Sequence, residues 1–67
     1  MTQQQMVINY LKRFKSITAR DAVYDLGIID LAGVIRNLRD SGIKIKDRWE
    51  IGVNRWGDEC RYKRYYR

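Results

Sequence analysis

Apolar positions in the first part of the chain recur at helical spacing. Met6, Val7, Tyr10, Leu11 and Phe14 stand three and four residues apart, the spacing that stacks side chains on one helix face. Thr2 is placed to act as an N-cap. The pattern predicts a helix over 2–14. Lys12, Arg13 and Lys15 crowd its C-terminal end, where cations suit the helix dipole. Ser16-Ile17-Thr18 reads as a short extended link. Thr18 with Asp21 three residues later is an Asp version of the capping box and opens a second helix. Ala19, Ala22, Val23 and Leu26 give its inner face, and Gly27 suits a left-handed C′ residue, so this helix is about eight residues long. Ile28 and Ile29 fill a tight connection. Asp30 caps a third helix from Leu31 to Ser41, stopped by Gly42, with Leu31, Val34, Ile35 and Leu38 as its core stripe.

After Gly42 the period becomes two. Ile43, Ile45, Trp49, Ile51 and Val53 are apolar, with Lys44, Lys46, Arg48 and Glu50 between them. The alternation resumes at Cys60, Tyr62 and Tyr66. This pattern predicts a β-hairpin. A four-residue loop over Asn54–Gly57, with glycine last, pairs Val53 with Asp58, Ile51 with Cys60, Glu50 with Arg61 and Trp49 with Tyr62. In that register Trp49, Ile51 and Tyr62 turn toward the helices and Cys60 is a small buried residue. Arg48, Arg61, Lys63, Tyr65 and Arg67 then face outward. Helix, short strand, helix, turn, helix, long hairpin is the order of an α+β winged helix-turn-helix. It has three helices and a small antiparallel sheet, with Ile17 pairing as a third strand and the hairpin as the wing.

Composition narrows the function classes. Sixty-seven residues make one domain, 1–67, with a small core. Histidine and proline are absent and Cys60 is the only cysteine. That excludes an internal disulfide, the usual zinc sites and histidine-based triads. Asp58 and Glu59 are neighbours on a strand and face opposite ways, so they form no catalytic pair. An enzyme is not expected, nor a metal or other cofactor. No apolar run reaches the length of a membrane span, and no signal-like segment follows Met1. Fourteen basic residues against eight acidic give +6, which points to a polyanionic partner, nucleic acid first and an acidic protein or membrane second.

That charge is uneven. Residues 1–15 carry three cations and no acid. Residues 16–43 carry three arginines against four aspartates, and residues 44–67 carry eight cations against four acids. The helix-turn-helix is therefore slightly acidic, and the grip on a polyanion falls to the end of helix 1 and to the hairpin. In this architecture the third helix enters the major groove and the wing touches the backbone or minor groove. With the core stripe facing inward, Ala32, Gly33, Arg36, Asn37 and Asp40 face outward, with Arg39 on a flank. Arg36 and Asn37 are of the types that read guanine and adenine edges; the alternative is a solvated face of mixed charge. Ala32 and Gly33 are small enough for close backbone approach. The expected base contacts are Ala32, Gly33, Arg36, Asn37 and Arg39.

The expected backbone and wing contacts are Lys12, Arg13, Lys15, Arg20, Arg48, Arg55, Trp56, Arg61 and Lys63. Arg20 sits beside the free N–H groups that open helix 2. Tyr24 lies off the apolar stripe, where it reaches a phosphate or is partly buried. Arg55 suits a narrow minor groove. Trp56 packs back on the hairpin, or else wedges at DNA or anchors a protein. Ile8, Tyr65 and Tyr66 are the candidates for a homodimer surface.

The chain resembles a family of short winged helix-turn-helix proteins common in bacteriophages and prophages. The residues that carry the likeness run from about Gln3 to Tyr66. They include Ser16-Ile17-Thr18, Asp21-Ala22, Leu26-Gly27-Ile28, Leu31, Ile35, Leu38-Arg39 and Gly42. The more specific part is Asn54-Arg55, Gly57, Arg61-Tyr62 and Arg64-Tyr65. The resemblance implies a winged-helix DNA-binding protein, in a phage or in the bacterial cytoplasm. Members tend to carry basic or hydroxyl residues early in the third helix, where this chain has Asp30, Ala32, Gly33 and Val34. The reading is a non-enzymatic binder of double-stranded DNA, a small regulator of transcription or recombination. The alternative keeps the fold but targets a host or phage protein, and a more distant one is nonspecific RNA binding.

Overall fold

The computed structural model describes all 67 residues. Helix α1 (Gln3–Phe14) opens with a closed capping box. The Thr2 hydroxyl accepts from the Gln5 N–H at 3.2 Å, and the Thr2 N–H donates to the Gln5 side chain at 3.0 Å. These bonds satisfy two of the groups that a helix start leaves unpaired. The helix ends at Lys15, a non-glycine residue with φ 75°, whose N–H donates to the Leu11 carbonyl. Val7 and Leu11 are buried, and Met6 and Tyr10 are half-buried. Phe14, expected in the stripe, is exposed. The stripe outruns the layer it packs on, and the Phe14 ring rests on Tyr10 at 4.6 Å instead.

Strand β1 (Ser16–Thr18) leads directly into α2 (Ala19–Asp21), which passes into a π-helical segment, Ala22–Leu26. The Thr18–Asp21 capping box is present in both directions, at 3.2 and 3.0 Å. Ala22 is buried and Leu26 half-buried, while Ala19 and Val23 are exposed rather than inward-facing. The π turns are wider than α turns; the rotation per residue changes, and Val23 swings out of the stripe. Gly27 ends the segment at φ 68°, and Ile28 N–H reaches back to the Ala22 carbonyl at 2.9 Å. That closure drives Ile28 into the core and leaves Ile29 exposed.

Helix α3 (Leu31–Asp40) starts at Asp30, whose carboxylate accepts from the Gly33 N–H at 3.1 Å. Leu31, Val34, Ile35 and Leu38 are all buried, as the spacing predicts. They form one core with Val7, Leu11, Ile17, Ala22, Ile28, Ile45 and Tyr65.

Strands β2 (Lys46–Val53) and β3 (Glu59–Tyr66) form the hairpin. The antiparallel sheet has the order β1-β3-β2, and Ile17 pairs with Tyr65 as the expected third strand. The hairpin register differs by one residue from expectation. Val53 pairs with Glu59, Gly52 with Cys60, Ile51 with Arg61, Glu50 with Tyr62 and Trp49 with Lys63. The turn decides this. Gly57 N–H donates to the Asn54 carbonyl at 3.0 Å, and Asn54 N–H donates to the Asp58 carbonyl at 2.9 Å. The Asn54 side-chain carbonyl accepts from Trp56 and Asp58 N–H at 2.9 and 3.0 Å. Asn54 and Asp58 therefore face each other across a three-residue loop. Its last residue, Gly57, has φ 83°, a conformation that glycine adopts without penalty.

The one-residue slip moves the β3 side chains to the other face and leaves those of β2 on the faces expected for them. Ile17, Tyr65, Asp47, Trp49, Lys63, Ile51, Arg61 and Val53 share the helix-facing side. Helices cover only its base, so Tyr65 is buried while Trp49 is 62% exposed, Ile51 66% and Val53 69%. Trp49 and Ile51 are thus not core residues. Tyr62 lies half-buried on the opposite face, and Cys60 is exposed there instead of buried. Tyr65 is a core residue and not an outward one, which removes it as a dimer candidate. Arg48 lies on the face opposite Arg61 and Lys63. Trp56 does not pack back on the hairpin; it is 79% exposed at the tip.

Candidate nucleic-acid interface

The outward side of α3 carries Ala32, Arg36, Asn37 and Asp40, all exposed, with Gly33 half-buried. The inward stripe of four buried apolar residues fixes this orientation. Arg36 forms no salt bridge within the chain. Gly33 serves the helix cap directly: a Cβ there would fall 2.5 Å from Asp30 Oδ2. The bare backbone at this point makes room for the capping carboxylate.

Arg39 is held differently. Its Nε and Nη2 donate to the Ile45 carbonyl at 3.1 and 2.7 Å, and Nη2 also meets Asp47 Oδ2 at 2.8 Å. The guanidinium lies 5.9 Å from the Tyr65 ring centre. Arg39, expected as a base contact on the flank of α3, ties the end of that helix to the base of β2. It thereby sets where the wing leaves the body. The same contact holds the Asp47 carboxyl below the usual carboxylate range, with Lys63 adding to the effect.

The remaining expected cations fall into separate groups. On the wing, Arg55 lies over Trp56 at 6.0 Å, and Lys63 lies over Trp49 at 5.1 Å and 4.0 Å from Asp47. Arg61 is exposed. Arg48 sits on the other face, paired with Glu50 at 3.0 Å and over the Tyr66 ring at 5.3 Å. Arg64 also reaches Glu50, at 2.8 Å, and donates to the Ser16 hydroxyl at 3.1 Å. This lowers the Glu50 pKa, through Arg64 first and Arg48 second.

Lys12 and Lys15 gather with Arg67 around Leu11 at the base of the sheet. Arg13 lies over Phe14 at 5.4 Å. Eight-residue strands separate that base from the wing tip, a span of roughly 25 Å at about 3.3 Å per residue. Arg20 stands over the exposed Tyr24 at 5.6 Å. It borders a cleft of about 450 Å³ with Thr18, Gly52, Cys60, Tyr62 and Arg64. The Tyr62 ring covers Gly52, since a Cβ there would meet its Cε1 at 3.2 Å.

Sequence reasoning missed Trp49 and Arg67. Trp49 lies on the helix-facing side, as expected, but beyond the reach of the helices, which no local signal shows. The register itself had a local signal. An Asn followed three residues later by Gly is the mark of a turn closed by a left-handed glycine, which pairs Asn54 with Asp58. Arg67 was seen only as an outward strand residue; its proximity to Lys12 and Lys15 depends on the β1–β3 pairing.

Comparisons with curated proteins and with solved structures find no match. The family comparison does. Its model spans residues 2–66, from the N-cap of α1 to the last residue of β3, and so takes in the helices, the third strand and the wing together. The chain belongs to the winged helix-turn-helix domain family.

Proposed function

We propose that this protein binds double-stranded DNA, with α3 in the major groove and the wing on the sugar-phosphate backbone. The carrying observation is the outward face of α3, where Arg36 and Asn37 stand exposed beside the small Ala32 and Gly33. Arginine and asparagine present paired donors and acceptors that match guanine and adenine edges. Ala32 is small enough to let the helix lie close to the base edges, while the space at Gly33 is taken by the Asp30 carboxylate. Arg55, Arg61 and Lys63 supply phosphate contacts from the wing, Arg48 from its opposite face, and Arg20 from the start of the second helix. Such contacts give affinity and register without reading sequence. Lys12, Arg13 and Lys15, joined by Arg67, form a second basic area at the far end of the sheet. That area adds long-range attraction for the duplex.

The role that fits is a small regulator of transcription or recombination in a phage or prophage, acting in the bacterial cytoplasm without a cofactor. One domain of this size reads few base pairs, so a dimer or a cooperative array supplies the specificity. A second reading, docking on a host or phage protein, is favoured by the exposed Trp56, since tryptophan is enriched at interface hot spots. Selection of sites from random duplex DNA, beside a pull-down from host lysate, tests the two. An enriched sequence motif supports the first reading. No motif together with a stoichiometric protein partner sinks it.

A further inference from the structure

The outer half of the wing carries an apolar strip that the fold leaves uncovered. Trp49, Ile51 and Val53 lie on the same sheet face as the buried Ile17 and Tyr65. They extend beyond the helical layer and are 62%, 66% and 69% exposed. Side chains two apart on one face repeat at about 6.6 Å, so Trp49 to Val53 spans roughly 13 Å, with Trp56 at the tip beyond. A 67-residue domain has little apolar surface to leave in water, and a patch of this kind marks a binding surface.

The charge on the strip indicates what covers it. Each wing tryptophan has a cation by its ring: Lys63 at 5.1 Å from Trp49 and Arg55 at 6.0 Å from Trp56. Arg61, directly opposite Ile51, adds a third. The acids on this face are Asp47, already held by Arg39 and Lys63, and the exposed Glu59 beside Val53. Three cations against one unpaired acid favour a polyanionic occupant, and a nucleic-acid strand supplies a phosphate beside each base it stacks. Aromatic faces set among backbone-tracking cations are the surface that holds unpaired bases, whatever their sequence.

We infer that the outer wing face of Trp49, Ile51 and Val53, with Trp56 at the tip beyond it, binds unpaired bases where a DNA duplex opens, at a fork or frayed end, with Arg55, Arg61 and Lys63 on the flanking phosphates. The inference rests on the DNA-binding reading and adds a second substrate to it: α3 holds the duplex, and the wing holds the strand that leaves it. The Trp49 ring, 62% exposed with the Lys63 ammonium 5.1 Å from its centre, is the surface on which a base stacks. Ile51 and Val53 extend the contact past the first base.

The test compares three probes of one sequence with the full chain: a blunt duplex, the same duplex with short unpaired arms, and the arm strand alone. The forked duplex should bind roughly tenfold more tightly than the blunt one. Trp49→Ala should remove that difference, a loss of about tenfold on the fork from one stacked base, and leave the blunt duplex unchanged. Trp49→Phe should restore most of it. Thermal unfolding of each variant checks that the fold is kept, as expected for a side chain 62% exposed. Equal affinity for forked and blunt duplexes overturns the inference while leaving duplex binding in place. So does a fork preference that survives Trp49→Ala, or a Trp49→Ala variant whose only loss is capture of a protein. Failure to bind any of the three probes overturns the DNA-binding reading as well.

Discussion

The guanidinium of Arg39 donates twice to one backbone carbonyl, that of Ile45, through Nε at 3.1 Å and Nη2 at 2.7 Å. Arg39 is in the last turn of α3, and Ile45 is a buried residue one position before β2. The contact therefore joins the helix proposed to enter the groove to the strand that carries the wing. A planar fork of donors makes this double bond, and an ammonium cannot reproduce it. Arg39→Ala should lower stability by about 1–2 kcal/mol, the range for charge-assisted bonds that stay partly solvated. Arg39→Lys should recover only a small part. Urea unfolding of the three proteins checks this; equal midpoints for wild type and Arg39→Ala would show that the clamp does not hold the wing.

Leu38 is 3% exposed on the inner stripe of α3. Leu38→Ala should cost about 2–5 kcal/mol, lost burial plus the cavity left behind. A domain of 67 residues has little stability to spare, and the variant should be largely unfolded at 37 °C. Circular dichroism against temperature reads the outcome, and a loss below about 1 kcal/mol would contradict the packing of α3.

Stability should fall at both ends of the pH range. Tyr10 donates to Asp25 Oδ2 at 2.5 Å, and that bond, helped by desolvation, pushes its pKa up to about 12 from 10.0. A raised folded-state pKa contributes stability that is complete below pH 10 and lost as pH rises toward 12. Tyr10→Phe should unfold less steeply than wild type across that window. Asp47 and Glu50 have lowered values, set first by Arg39 and by Arg64. Their contribution is present above the ordinary carboxylate range, from about pH 4 upward, and lost as pH falls through the lowered values. Asp47→Asn and Glu50→Gln should each blunt the acid side of the profile, measured by unfolding midpoint against pH.

Arg36 and Arg61 should fail in different ways. If Arg36 reads a base edge, Arg36→Ala costs about 1–3 kcal/mol on the preferred site and flattens the preference among sites. Arg61→Ala should weaken all sequences alike and reduce the slope of log affinity against log salt by about 0.9, the value for one phosphate contact. Affinities measured across a salt series on a preferred and a scrambled duplex separate the two. A loss of site preference with Arg61→Ala would reverse the assigned roles.

The helices were legible in the sequence because their signals are local. Thr2 with Gln5 and Thr18 with Asp21 close their capping boxes within four residues, and the 3.6 period of Leu31, Val34, Ile35 and Leu38 marks a buried face wherever the helix packs. The order of elements, the third strand at Ile17 and the outward face of α3 followed from these. What the chain alone could not place was the wing face. Apolar matching favours Trp49 against Tyr62 and disfavours the register one residue away, with Ile51 opposite Arg61 and Trp49 opposite Lys63, yet that is the register the hairpin adopts. The choice went to backbone geometry, with Asn54 and Asp58 closing a loop over the left-handed Gly57. Burial was decided by a still longer relationship. Trp49 and Ile51 share the parity of Ile17 and Tyr65, yet they are exposed because the helical layer ends before it reaches them. Periodicity records which side of a strand a residue occupies; whether anything lies on that side depends on how far the other elements extend, and only the tertiary structure sets that.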